Sequence, residues 1–526
     1  MKKTNQFVAY MASRHIVFVI FLLSLLSAMA SYYYFTTHQN LLYADAISRL
    51  NIARKVIDNI TPGLAQLGNV WLPLPQIFML PFIWNKYLWH SGLAGMLMSM
   101  PMFILGGYYV YRSSVLLTKS FWASLFATCV YALNINILYL QSTAMSEAMF
   151  LCTLSAAIYY FLEFFRSKNN FYLIPAAFSV SCMTLVRYEG LAILLPSIPL
   201  VYFYTLISQR KHTKAESNTL LYSALAILGF ALWTLYLTAI FGDPLYWNNY
   251  YAAAKTTEEG GKIYTQAKPF LAAVWQYTTS TIWMAGLIPT IFASIGIIVM
   301  LIKSVRDKTW YFLPLLMPFS VFLFMVLTLQ RNTPIVQPVL TMASILAPDT
   351  SMGVGFNIRY GLLLLPWIAI LTSYVFNIRF FVLKALLFLV FLIQVFSYAN
   401  PQYSVIYQIP ARMYAKPYGA MVDWFQEHYD GGKILISASS HEDQMFEMGF
   451  NYNTYIHEGT NKYWKESLDD PPRYAKWVVL DRGHESDMVA RKKGIREVLQ
   501  RDYNLVYNHQ QVEIYKIKNK TYFNIP

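Results

Sequence analysis

The sequence predicts an all-α polytopic membrane bundle of about eleven spanning helices, followed by a small C-terminal α/β soluble domain. Three observations lead there. The 526 residues are 56% hydrophobic and only 13% charged, about half the charged fraction of an ordinary soluble domain. Apolar runs long enough to cross a bilayer recur from position 15 to position 399. After Asn400-Pro401 the composition turns charged and loop-rich, and no run of spanning length follows. The chain therefore divides into 1–400, a membrane domain with a long first external loop over 36–91, and 401–526, a soluble domain.

The first element carries Lys2, Lys3 and Arg14 ahead of an apolar run over 15–35. A cleaved signal peptide has a shorter apolar region and a small-residue cleavage site. This run instead ends Tyr32-Tyr33-Tyr34-Phe35, an aromatic interface belt, and predicts a retained helix. The further spans are 92–111, 120–140, 148–165, 171–186, 190–208, 219–241, 281–302, 309–329, 360–377 and 380–399.

Short connections carry Arg112 and Lys119, Arg166 and Lys168, Arg210, Lys211 and Lys214, Lys303, Arg306 and Lys308, and Arg379 with Lys384. The long connections 36–91, 242–280 and 330–359, and the tail, lie on the opposite side. One orientation, with a cytoplasmic N-terminus and an external tail, puts every short basic loop inside. Segment 70–84, VWLPLPQIFMLPFIW, is apolar but short and holds three prolines. It is expected as a short helix packed at the outer face of the bundle, not as a span.

The first external loop opens with LLYADAISRLNIARKVIDN over 41–59. Ala46, Leu50, Ala53 and Ile57 recur at helical spacing, with Ser48, Asn51, Lys55 and Asp58 elsewhere around the helix. That pattern predicts an amphipathic helix at the membrane surface. In the tail, a helix around 418–428, a strand 433–437, a helix 441–448, a strand 477–481, a helix 487–501 and a closing hairpin are expected.

The net charge of +14 sits entirely in the membrane part, since residues 401–526 hold 16 basic and 16 acidic side chains. It is a topology signal and calls for no nucleic acid. Cys129, Cys152 and Cys182 all lie in apolar runs and offer neither a disulfide framework nor metal spacing. A P-loop, HExxH, GxGxxG and an Asp-x-Asp pair are absent from the sequence.

What remains is a set of polar residues expected at one membrane face. Asp45 follows the first span, with Arg49 four residues on. Glu147 sits where the third span turns into the fourth. Arg187 and Glu189 lie in the tight turn between the fifth and sixth, and Arg359 and Tyr360 open the tenth. Ionisable groups at membrane depth mark function by default. Each has a structural alternative. Asp45 is a potential helix N-cap with Arg49 as its partner, and Glu147 a potential cap of the fourth span. Arg187 and Arg359 also suit interfacial anchors. Glu163 and Lys384 read as snorkelling or paired, and His38 and His90 as ordinary loop residues.

The stretches YADAISRLNIARKVIDNITPGLAQLGNVWLPLPQIFMLPF (43–82), LQSTAMSEAMF (140–150), LVRYEG (185–190), FGDPLYW (241–247) and NIRYGLLLLP (357–366), taken in order, resemble the GT-C superfamily of membrane glycosyltransferases. The likeness is to bacterial relatives of the protein O-mannosyltransferases and of the aminoarabinose transferase. The tail stretch SLDDPPRYAKWVVLD (467–481) resembles theirs too.

The resemblance implies an enzyme of a bacterial inner or plasma membrane that moves a sugar from a polyprenyl-phosphate carrier to a hydroxyl of a lipid, glycan or protein. It implies Asp45 as catalytic base, although many relatives have two adjacent acids where this chain has Ala44-Asp45-Ala46. Glu147 then serves the acceptor or a divalent cation, and no other cofactor is expected. Arg187 and Arg359, with Tyr360, hold the donor phosphate, and Arg49 and Glu189 support them. Two rival readings are a lipid-linked sugar flippase or transporter and an O-antigen ligase or polymerase. The sequence shows no inverted repeat to favour a transporter.

Overall fold

The computed structural model describes residues 2–68, 70–248, 269–307, 309–310, 312–330, 358–400, 403–408, 419–484 and 486–518. These residues fall into two compact units. One comprises Met1–Asn40, Asn69–Pro75 and Met96–Ile409; the other comprises Leu41–Gly68, Gln76–Gly95 and Pro410–Pro526. Most of the long loop 36–91 thus groups with the tail.

The membrane unit holds α1 (Lys2–Thr36); the second unit's loop segments carry α2 (Ala44–Lys55), most of α3 (Leu74–Ile83), and α4 (Lys86–His90). The membrane unit continues with α5 (Leu93–Thr118), α6 (Phe121–Ala132), α7 (Ile135–Leu140), α8 (Glu147–Ser167), α9 (Leu173–Val186), α10 (Gly190–Gln209) and α11 (His212–Phe241). After the next connection come α12 (Phe270–Ala285), α13 (Leu287–Arg306), α14 (Pro318–Gln330), a 3₁₀ segment Ile358–Leu364, α15 (Leu365–Phe376) and α16 (Phe381–Ser397).

Among the described residues eight helices are long and apolar enough to cross a membrane, and four more are shorter and apolar. Three of the shorter helices lie at expected spans. The fourth is α3, whose ten residues reach about 15 Å, half the hydrocarbon thickness. The chain is an integral membrane protein.

Two spans differ from expectation. The run 120–140 is broken at Asn134, whose Oδ1 accepts from the backbone N–H of Asn136 and Ile137 and so starts a new helix. Its Nδ2 donates to the Met284 carbonyl at 2.8 Å, which ties the break to the end of α12. The expected span 281–302 straddles Gly286, which has φ +96°. This glycine splits the apolar run into α12 and α13, so the span is Leu287–Arg306 and α12 is a separate helix that hydropathy did not separate. Basic residues Lys119, Lys168 and Arg210 follow the C-terminal ends of α5, α8 and α10 with positive φ, where their charge complements the helix dipole.

In the second unit, the tail forms a five-stranded sheet from β1 (Ile434–Leu435), β2 (Tyr455–Ile456), β3 (Trp477–Asp481), β4 (Tyr503–His509) and β5 (Val512–Ile517), in the order β2-β1-β3-β5-β4. β1, β2 and β3 run parallel, and β5 pairs antiparallel with β3 from Trp477↔Lys516 to Asp481↔Val512. The central β3 is buried along its whole length, which is why WVVLD reads as a continuous apolar run. The tail's longer helices among the described residues are α17 (Gly419–His428), α18 (Ala438–Glu447), α19 (Lys462–Asp469) and α20 (Ile495–Asp502). The expected helix 487–501 begins only at Ile495. Asp487 instead turns the chain, accepting from Asp481 N at 2.9 Å and Ala490 N at 2.8 Å.

The amphipathic helix α2 is not the surface element its pattern predicts. Its apolar residues Ala46, Ile47, Leu50 and Ala53 are buried, but so are Arg49, Asn51 and Arg54. Its polar side packs on the tail helix α18, within the same unit.

Candidate active site

In the membrane unit, the sequence-predicted polar residues of the helix ends converge. α9 stops at Val186 and Arg187 is extended, at φ −151° and ψ 147°. Three residues later the chain re-enters a helix. Arg187 Nη1 donates to Glu147 Oε1 at 2.9 Å, and Nη2 donates to Glu189 Oε1 at 3.0 Å. Arg359 Nε lies 3.2 Å from the same Glu147 oxygen. Glu147 Oε1 therefore bridges two guanidinium groups.

The Tyr360 ring covers this arrangement, with the Arg187 guanidinium carbon 4.4 Å and that of Arg359 5.7 Å from its centroid. All four charged residues are buried. Two carboxylates and two guanidiniums make the cluster neutral, which is what allows it to persist out of water.

Local structure delivers these groups. Glu147 is the first residue of α8, after an N-cap at Ser146. The capping alternative does not describe it, because its Oε1 serves the two arginines. Oε2 accepts no hydrogen bond among the described residues. Arg359 and Tyr360 are followed by Gly361. A Cβ there would lie 2.2 Å from the Ser280 carbonyl oxygen, so only glycine lets this segment settle against α12. The Tyr277 hydroxyl donates to the Tyr360 carbonyl at 3.1 Å and completes that seam. Ser146, which accepts from Arg187 Nη1 at 3.2 Å, and Tyr277 are participants that sequence reasoning passed over. Ser146 lies inside a motif stretch and Tyr277 outside them all, and neither has a charge to signal it.

The motif stretches also meet through apolar contacts. Tyr188 stacks on Trp247 at 4.4 Å and donates to the Val70 carbonyl at 2.8 Å. Leu72, Trp233 and Leu237 pack with Tyr188, Phe241 and Tyr246. Segments 70–75, 185–190 and 241–247 thereby brace the turn that holds Arg187.

Asp45 belongs to the second unit. Tyr43 is the N-cap of α2 and Asp45 lies in its first turn, so it is not the cap. A carboxylate there is favoured by the helix dipole. Arg49, one turn on, is buried. His90, expected as an ordinary loop residue, ends α4, where its Nε2–H donates to the Phe446 carbonyl at 3.0 Å.

No group of three or more His, Cys, Asp or Glu side chains is placed to hold a metal ion among the described residues. Glu147 and Glu189 are ion-paired with guanidiniums, which compete with any metal ion for their oxygens. The described residues alone show no assembled divalent-cation site, and no step is derived through one.

The helical membrane bundle with its small C-terminal α/β domain has a GT-C-like fold, similar to that of solved membrane proteins. Solved structures that share it include ArnT from Cupriavidus metallidurans bound to undecaprenyl phosphate, at TM-score 0.53 and 11% identity over 95% of this chain and 97% of that one. Another is the apo oligosaccharyltransferase of Archaeoglobus fulgidus, at TM-score 0.52 and 10% identity over 89% of this chain and 69% of that one. No protein-family model matches the chain, and no curated protein matches it in sequence. At such identities the similarity establishes the fold.

Proposed function

We propose that this protein is an inverting glycosyltransferase that moves a sugar from a polyprenyl-phosphate carrier to an acceptor hydroxyl at the outer face of the membrane. The observation that carries the reading is the pair of buried guanidiniums, Arg187 and Arg359, gathered on one carboxylate under Tyr360. They occur in a fold whose ArnT example was solved with undecaprenyl phosphate.

Asp45 is the base. It takes the proton of the acceptor hydroxyl as that oxygen attacks the anomeric carbon. The bond from the anomeric carbon to the phosphate oxygen breaks, and its electron pair leaves with the carrier phosphate. Arg187 and Arg359 stabilise that developing charge, a task to which the planar guanidinium is suited. Glu147 holds the two arginines together, and its Oε2 is the oxygen available to orient an acceptor hydroxyl. One displacement inverts the anomeric centre, so a single base suffices.

The sided reading places the N-terminus in the cytoplasm of a bacterial cell and residues 401–526 outside the inner membrane. Reporter fusions after Lys308 and after Pro526 are expected on opposite sides. The reaction itself is tested by offering purified protein a polyprenyl-phosphate sugar and the matching nucleotide sugar in parallel. Transfer from the lipid donor alone is expected. Turnover of the nucleotide sugar without carrier lipid would overturn the reading, and movement of the lipid donor across a vesicle without transfer would make the chain a flippase.

A further inference from the structure

The face of α2 that carries Asp45 is the face the tail holds. Ser48 follows Asp45 by three residues and Lys55 by ten, so all three lie on one side of the helix. Ser48 Oγ donates to Glu442 Oε2 at 2.8 Å, and Lys55 Nζ lies 3.1 Å from Glu442 Oε1. Asn51 Nδ2 donates to the Glu442 carbonyl at 3.4 Å. Both oxygens of one tail carboxylate are thus committed to α2.

A second grip prevents α18 from sliding. The Trp89 ring meets Phe446 edge-on at 5.3 Å, and His90 stacks on Phe446 at 5.0 Å. Trp89 Nε1 donates to Asn51 Oδ1 at 3.3 Å, which links this aromatic contact back to α2.

We propose that Glu442 is a positioning residue for Asp45: by holding Ser48 and Lys55 it fixes the rotation of α2, and so the direction in which the base presents its carboxylate. The tail then works as part of the catalytic apparatus and not as an appended module. The neighbouring Asp443 lies close enough to Asp45 to feel its charge. Burial first, then Glu442, Glu447 and Asp45, push its carboxyl up to about 6. The proposal rests on Asp45 being the base.

The test uses full-length protein and the polyprenyl-phosphate sugar that it turns over. Glu442→Ala is expected to lower kcat roughly ten- to a hundredfold, the scale of a misdirected catalytic group, with KM for the donor unchanged. Glu442→Gln keeps an oxygen for Ser48 and loses only the charge on Lys55, so it is expected to retain more activity. That near-isosteric variant serves as the measurement if the alanine variant fails to fold. In an Asp45→Asn background Glu442→Ala is expected to cost nothing further, because there is no base left to aim.

Normal kcat in both Glu442 variants, or a full additive loss in the Asp45→Asn background, would overturn the proposal. An Asp45→Asn variant that still transfers sugar would overturn the base assignment instead. An inactive Asp45→Asn beside a fully active Glu442→Ala would sink the positioning role alone.

Discussion

Two carboxylates in this protein each hold two partners, and they do so under opposite conditions. Glu147 is fully buried and bridges two buried guanidiniums in the membrane unit. Glu442 is partly exposed, with its side chain 26% accessible, and spans a hydroxyl and an ammonium in the second unit. In the first case burial makes each charge depend on the others, because an unpaired charge in a low-dielectric interior is costly. In the second, water competes for every contact, so the ion pair itself contributes little to stability. Its value lies in orientation. One cluster is therefore expected to respond to mutation as a stability element and the other as a geometric one.

The largest effect expected is on the buried cluster. Glu147→Ala leaves Arg187 and Arg359 without their common partner and is expected to destabilise the membrane unit by about 3–5 kcal/mol, read as a fall in thermal midpoint in detergent. A variant as stable as the parent would show that the two guanidiniums find other partners. Next comes Asp45→Asn, which is expected to reduce transfer by roughly a hundredfold or more while the melting curve stays close to the parent's. A first-turn carboxylate is worth only about 0.3–1 kcal/mol to its helix.

Arg187→Ala or Arg359→Ala is expected to cost about 1.5–3 kcal/mol in transition-state binding, measured as kcat/KM. The Lys variants fall between, since they keep the charge but lose the fork. Equal activity of Lys and Arg at either site would reduce the clamp to a point charge.

A smaller effect concerns pH. The Asp443 carboxyl is raised from 3.8 to about 6, so folding binds its proton more tightly. Its stability contribution is complete below about pH 4 and is lost as the pH rises through about 6. Asp443→Asn is expected to remove that loss and to make the second unit more resistant to proteolysis at pH 7.5 than the parent. The buried His441 ring, whose protonation is disfavoured chiefly by burial, acts in the opposite sense. The informative quantity is therefore the difference between variant and parent at each pH. The smallest change expected is Ser146→Ala, which removes one hydrogen bond to Arg187 and about 0.5–1.5 kcal/mol.

What the sequence by itself determined is what depends on local composition and order. Hydropathy located most helices of the bundle, the change of composition after Asn400 marked where the C-terminal α/β fold begins, and WVVLD announced its central strand. The ionisable residues at helix ends were legible because membrane depth makes each of them expensive. Glu147, Arg187, Glu189, Arg359 and Tyr360 did come together.

Tertiary structure decided the partners. Nothing in LQSTAMSEAMF says that Glu147 faces two arginines rather than a cation, since a carboxylate suits either and only the fold brings the arginines to it. Periodicity likewise could not tell that the polar side of α2 faces a protein surface. Ser48, Asn51 and Lys55 satisfy water and Glu442 equally well, and the choice comes from a tail residue almost four hundred positions away. The splitting of 281–302 at Gly286 was hidden for a related reason. Hydropathy averages over a window, whereas a single positive φ, set by the packing around it, ends a helix.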